Sequence, residues 1–102
     1  MAIAEISIIP IGTSTPSVSK YVAKAVGILK RKGVKFEITS MGTIVEGEIS
    51  ELLKLVEEMH RAVLESDVVR VVTTVKIDER KDKPLTIEGK VSSVKEKLIE
   101  KI

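Results

Sequence analysis

Apolar and polar residues alternate with a period of two along residues 2–11 (AIAEISIIPI), which predicts a first strand. Ala4, Ile6 and Ile8 fall on one face of it; Glu5, Ser7 and Ile9 fall on the other. Pro10 lacks a backbone donor and marks the strand's end or a ladder edge. Residues 12–16 (GTSTP) read as a loop in which Thr15 caps a helix whose first position is Pro16. The pattern then changes to a helical period over residues 16–32, with Val18, Val22, Ala25 and Leu29 spaced four, three and four apart. Lys30-Arg31-Lys32 suits the negative end of the helix dipole, and Gly33 is the expected stop.

Alternation resumes at residues 34–39 (VKFEIT), with Val34, Phe36 and Ile38 inward and Lys35, Glu37 and Thr39 outward. Ser40-Met41-Gly42 is a turn, and residues 43–48 return as a short strand, so the two form a hairpin. Ser50 is placed to cap a second helix with Glu51 in its first turn, and Leu52, Leu53, Val56, Met59, Val63 and Leu64 make its apolar stripe. Residues 68–78 are rich in β-branched side chains and predict a fourth strand. Glu79 to Lys83 is a charged loop, and a third helix runs from Thr86 with Ile87, Val91, Val94, Leu98 and Ile102 on one narrow stripe. Gly89 weakens the first turn of that helix, and Ser93 with Glu96 offers a capping box for a later start.

The element order β-α-β-β-α-β plus a helix predicts an α+β fold: a ferredoxin-like sandwich with a four-stranded antiparallel sheet and an extra C-terminal helix, in a single domain over residues 1–102. Both crossover helices then cover one sheet face, toward which Ile6, Ile8, Phe36, Ile38, Val71 and Val75 point. The opposite face collects Glu5, Ser7, Ile9, Lys35, Glu37, Thr39, Val72, Thr74 and Lys76. The third strand adds either Thr43 and Val45 or Ile44 and Glu46, depending on whether Gly42 sits in a bulge. Hydroxyls, carboxylates and aliphatics are mixed on this face. That mixture suits a surface partly buried against another subunit, with a polar pocket left inside it.

Composition narrows the chemistry. There is no cysteine, which removes disulfides, thiolate catalysis and cysteine metal sites. The single histidine, His60, sits at the edge of the second helix's stripe and reads as a half-buried structural imidazole. With no second His or Cys, no metal site is expected. No serine has a plausible triad partner, and no Gly-rich phosphate loop is present. The net charge of +2 comes from 17 basic and 15 acidic residues interspersed along the chain, so it gives no basic face. RNA-recognition domains share the strand order but stack bases on sheet aromatics; here the only aromatics are Tyr21 and Phe36, and Phe36 points inward. Neither nucleic acid nor membrane is therefore expected as a partner, and a cytoplasmic location follows. Asn, Gln, Cys and Trp are all absent while Lys and Glu are abundant, a profile expected of a heat-stable protein.

Three segments stand out: Pro10-Ile11-Gly12-Thr13 leading to Val18-Ser19-Lys20-Tyr21-Val22; Met41-Gly42-Thr43-Ile44-Val45-Glu46-Gly47-Glu48; and residues 70–80, Arg70 to Arg80. Together and in this order they resemble the small thiamine-binding (YkoF-like) protein family, over about Ala4 to Leu98. The Met-Gly-Thr-x-x-Glu-Gly-Glu segment is the most specific. The resemblance implies a ferredoxin-like fold, a homotetramer built from paired dimers, and non-catalytic binding of thiamine or its hydroxymethylpyrimidine part between subunits, with no cofactor. By match to the family's motif it makes Thr43 and Glu46 the leading ligand-contact candidates, followed by Ser7, Thr39 and Tyr21. Ser66-Asp67 departs from the glycine-containing turn usual before the last strand. The chemistry is compatible: a carboxylate such as Glu46 accepts from an aminopyrimidine's exocyclic amine, and threonine hydroxyls donate or accept. Two other readings fit the same features: a small regulatory module that binds another metabolite between paired sheets, and a purely structural oligomeric protein.

Overall fold

The structure, a computed structural model, describes residues 1–100, with side chains described through residue 98; Ile102, the last position of the expected third-helix stripe, lies outside the described residues. The order is β1 (Ala2–Ile11), α1 (Ser19–Lys32), β2 (Lys35–Ile38), β3 (Thr43–Gly47), α2 (Ile49–Leu64), β4 (Arg70–Glu79) and α3 (Ile87–Glu100). The four strands form one antiparallel sheet in the order β2-β3-β1-β4, which is the ferredoxin-like arrangement.

The period-two pattern sorts the sheet into two faces. Ala2, Ala4, Ile6 and Ile8 of β1 and Val45 of β3 are buried against Tyr21, Ala25, Ile28 and Leu29 of α1 and Leu52, Leu55, Met59 and Val63 of α2. The register resolves the alternative left open for β3. Thr43 pairs with Ile6 and Val45 with Ala4, so both lie on the helix side, while Ile44 pairs with Glu5 and Glu46 with Ile3 on the open side. Ile38 pairs with Thr43 and so belongs to the helix side as expected, yet it is exposed, at the end of the edge strand β2 beside an open hollow against α1. Thr39 leaves the ladder after Ile38 and stands in the turn rather than on the open face.

Helix boundaries depart from the expected caps in two places. α1 begins at Ser19 with Val18 as its cap residue, and no side chain caps it. Thr15 is occupied elsewhere: its hydroxyl accepts the Ser17 N–H at 3.3 Å and its carbonyl accepts the Thr13 hydroxyl at 2.7 Å. α2 begins at Ile49 after Glu48, with the Leu52 N–H donating to the Glu48 carbonyl at 2.9 Å, so Ser50 lies inside the first turn. The buried positions of α2 include Leu55, which the stripe omitted, whereas Leu53 and Leu64 are exposed.

α3 starts early rather than at Ser93. The Thr86 hydroxyl accepts the Gly89 N–H at 2.9 Å, and a Cβ on Gly89 would sit 2.8 Å from that oxygen. The glycine therefore keeps the cap closed at the cost of some helix propensity. Leu85 and Ile87 at its base pack with Ile3 and Ile44 on the open sheet face as a second, small core.

Candidate functional site

A cleft opens where the strands differ in length. β1 has ten residues and β3 has five, and their pairing ends at Ile6 and Thr43. Beyond that point the β1 edge from Ser7 onward has no β3 partner, and the β2–β3 turn crosses beside it. The resulting cavity is about 350 Å³ and is walled by Ile6 and Ile8 of β1, Val18, Val22 and Val26 near α1, and Met41 of the turn, with Met59 of α2 behind. Ser7, Thr39, Ser40 and Thr43 bring hydroxyls to it, and no charged side chain lines it. A second hollow of about 580 Å³ lies on the far side of Val18, Val22 and Val26, toward Ile38 and Lys30. It is larger but more open, a trough on the helix surface, so the more sheltered cleft is the better candidate.

The turn that forms the lip is internally braced. The Thr39 hydroxyl donates to the Gly42 carbonyl at 2.7 Å and accepts the N–H groups of Met41 and Gly42 at 3.2 and 3.1 Å. The Thr39 N–H also donates to the Gly42 carbonyl at 2.9 Å. Thr39 is thus spent on shaping the lip, which leaves Ser7 and Thr43 as the strand hydroxyls facing the cleft. Gly42 lies so close to β1 that a Cβ there would meet the Ile6 carbonyl oxygen at 3.2 Å and Glu5 Cγ at 3.3 Å. A side chain at this position would force the lip and β1 apart by a few tenths of an ångström.

The five site candidates do not converge. Ser7, Thr39 and Thr43 line the cleft. Glu46 lies three residues along β3 and on the opposite sheet face, 8% exposed, beside Ile3. Its Oε2 is buried without a hydrogen-bond partner, and the nearest cation is Lys35 Nζ at 3.5 Å. Lys35 also pairs with Glu88 at the start of α3, so a Glu46–Lys35–Glu88 chain of charges ties the α3 base to β2 and β3. The Glu88 ion pair raises the Lys35 ammonium above its ordinary value, and the Lys35 hydrogen bond lowers the Glu88 carboxyl below its own.

Tyr21 is buried in the main core, and its hydroxyl donates to Asp67 Oδ1 at 2.8 Å, an arrangement that lowers the Asp67 carboxyl. That contact gives the Ser66-Asp67 departure a structural use: the carboxylate anchors α1 to the loop before β4. His60 is half-buried with Nδ1 2.6 Å from Thr73 Oγ1, which joins α2 to β4. Among the described residues no cluster of three or more His, Asp or Glu side chains is disposed to hold a metal ion.

Val22 and Met59 are cleft residues that the sequence pattern puts on helical apolar stripes, Met41 is one that it puts in a turn, and Val26 lies outside the stripe that the pattern predicts. The signal that locates them is the strand-length mismatch: a ten-residue β1 cannot be covered along its length by a five-residue partner.

The fold and cleft define a class: a ferredoxin-like α+β protein carrying a small, uncharged, hydroxyl-bearing cleft at the sheet edge. The family model described as thiamine-binding protein matches residues 4–95, and the chain belongs to that family. The UPF0045 protein YqgV of Bacillus subtilis is 44% identical over 102 residues, covering 96% of this chain and 98% of that one. The UPF0045 protein MJ1052 of Methanocaldococcus jannaschii is 51% identical over 94 residues, 92% of each chain. Its crystal structure superposes with a TM-score of 0.86, covering 93% of this chain and 96% of that one. A Thermotoga maritima crystal structure, of a protein provisionally assigned to thiamine biosynthesis or salvage, has a TM-score of 0.78 at 28% identity and covers 91% of this chain and 97% of that one. Among the described residues no helix is long and apolar enough to cross a membrane.

Proposed function

We propose that this protein binds thiamine or its hydroxymethylpyrimidine moiety without transforming it, with the pyrimidine ring in the β1–β3 cleft at a subunit interface of a homo-oligomer. The observation that carries the reading is the cleft's lining: apolar walls, two strand hydroxyls and no charge, inside the span that matches the family. A volume of about 350 Å³ is at the small end of ligand pockets, which suits one ring better than two. Ile8, Val22 and Val26 offer apolar contact to a flat heteroaromatic ring, and the Met41 and Met59 thioethers make favourable contacts with such rings. The Ser7 and Thr43 hydroxyls serve either sense of hydrogen bond, so they can meet a ring nitrogen or the exocyclic amine.

The thiazolium of thiamine is cationic, and the cleft has no counter-charge for it. Glu5 and Glu37 supply carboxylates on the open sheet face beside the cleft mouth, where a second ring would emerge. No group in the cleft has the disposition of a general base or nucleophile, which is why the reading is one of binding. Titration calorimetry of ligand-free protein with thiamine, with hydroxymethylpyrimidine and with the isolated thiazole alcohol tests it. Heat is expected from the first two and not from the third. No heat from either pyrimidine ligand overturns the proposal and shifts weight to a module for another metabolite.

A further inference from the structure

The charges that average out along the chain do not average out in space. No acidic residue lies between Glu5 and Glu37, whereas Lys20, Lys24, Lys30, Arg31, Lys32 and Lys35 all fall in that stretch. Part of this charge is neutralised in the fold: Lys20 pairs with Asp67 at 3.6 Å, Lys32 with Glu58 at 3.4 Å, and Lys35 with Glu46 and Glu88. Lys24, Lys30 and Arg31 have no ion-pair partner among the described residues, so the outer surface of α1 stays positive. That surface borders the apolar trough of about 580 Å³. On the α1 side the trough is lined by the small residues Ser19, Ala23 and Gly27 and by Val22 and Val26; on the β2 side it is lined by Ile38, 65% exposed. Lys30 lines it toward the C-terminal end of α1, and Arg31 Nη1 lies 3.6 Å from where a Cβ on Gly27 would sit.

The β2 side of the trough is also a free sheet edge. β2 pairs with β3 and stands at the end of the sheet. The Thr39 N–H donates to the Gly42 carbonyl, so these two residues close the hairpin as a hydrogen-bonded pair. Antiparallel alternation then turns the backbone groups of Lys35 and Glu37 toward β3 and those of Phe36 and Ile38 outward. The Phe36 and Ile38 side chains point to the helix side, toward the trough. A strand added to this edge would hydrogen-bond to the Phe36 and Ile38 backbone and lay every second side chain in the trough. A second copy of this chain is a poor occupant, because joining two β2 edges brings two positive α1 surfaces together. We propose that the β2 edge and the α1 trough dock an extended segment of a partner protein by strand addition. Aliphatic side chains of that segment enter the trough at alternate positions, and a flanking Asp or Glu meets Lys30 and Arg31. The docking does not draw on the ligand reading of the cleft.

A library of random short peptides displayed on phage and panned on the immobilised protein supplies the probe. Recovered peptides are expected to carry aliphatic residues at alternate positions with a flanking Asp or Glu. Ala23→Leu fills the trough from an exposed helix position, and Lys30→Glu reverses the charge at its end. Each is expected to weaken the Kd of a recovered peptide, read by fluorescence anisotropy, at least fivefold. Ile38→Pro removes an outward donor at an edge position, where proline is tolerated, and is expected to bind at least fivefold more weakly than Ile38→Ala, which removes the side chain alone. Circular dichroism melts of these variants are expected to match wild type. Amide hydrogen exchange on the wild type reads the same pairing without a substitution: the Ile38 N–H is expected to exchange more slowly with peptide bound. No enrichment in panning, recovered peptides that are basic or uncharged, a Kd unmoved by Ala23→Leu and Lys30→Glu, or an Ile38 N–H left unprotected each overturns the inference. The chain has no cysteine, so complete disulfide dimerisation of Ile38→Cys would put a second copy on the edge and overturn it. Binding to phosphatidylglycerol vesicles with no peptide recovered would make the basic face a membrane surface and overturn it as well.

Discussion

Thr43→Val separates the ligand role of the cleft from its structural role. Thr43 is buried on the helix side of β3, paired with Ile6 on one side and Ile38 on the other, with Val45 two residues along the same face. Its neighbours are apolar and its backbone is extended, so valine fits the site and is the stronger strand former. A hydroxyl that serves only the cleft contributes little to folding. The variant is therefore expected to unfold within about 1 kcal/mol of wild type, which for a chain of this length is a shift of about 4–8 °C or less. Binding is different. A ligand donor or acceptor left unpaired against the buried Thr43 position costs about 1–3 kcal/mol, or about 5- to 150-fold in Kd. Thr43→Ser keeps the oxygen and should recover most of that loss. Urea unfolding read by circular dichroism and calorimetric titration with hydroxymethylpyrimidine, on all three proteins, supply both numbers. An unchanged Kd in Thr43→Val with an intact fold would refute the assignment of this hydroxyl to the ligand. A loss above about 2 kcal/mol in stability with unaltered binding would make it a structural group instead.

Two further outcomes follow from the charges outside the cleft. Glu46 is buried among Ile3, Ile44 and the α3 base, with one oxygen unpaired, so Glu46→Leu is expected to leave stability unchanged or raise it by about 1–2 kcal/mol, and to leave the Kd for hydroxymethylpyrimidine within twofold; a thermal melt and a titration check this, and a large affinity loss would return Glu46 to the site. The hydrogen bond from Arg80 lowers the Asp82 carboxyl from 3.8 to about 2. Because the folded value is depressed, the ordering of the 80–82 loop is complete above about 4 and is lost as pH falls toward 2; a carboxyl-carbon NMR titration should show the low inflection, and Arg80→Met should return it to the ordinary range.

Much of the fold was legible because it rests on local periodicity. The strand faces of β1 and β4, the helical order and the stop at Gly33 all follow from patterns a few residues long. The departures have non-local causes. The register of β3 depends on how closely Gly42 approaches the Ile6 carbonyl, a contact across 36 residues that no pattern in either segment announces. Glu46 reads from sequence as a carboxylate free to meet a ligand, but residues 85–88 return to the sheet and cover it. Tyr21 reads as an available phenol until Asp67, 46 residues away, is seen to hold it. Thr39 shows a failure of the opposite kind. Its alternation continues that of β2 by one residue, yet a threonine before a glycine turn can satisfy two backbone donors with its own oxygen, and here the turn takes it.

The same contrast explains how so small a fold makes a binding site at all. A four-stranded sheet of equal strands, with helices on one face, has no notch along its inner edges. Here β2 and β3 span only four and five residues while β1 and β4 span ten each and pair along their full length. The long pair supplies a rigid platform that extends past the short hairpin, and the hairpin's braced turn hangs over the uncovered edge. Rigidity comes from the β1–β4 ladder, and shape comes from where the hairpin stops. Lengthening β3 by two residues would pair Ser7 and fill the notch with backbone. The Met41-Gly42-Thr43 segment governs the site: it sets the hairpin's end, the closeness of its approach to β1 and the hydroxyl that faces the space left behind.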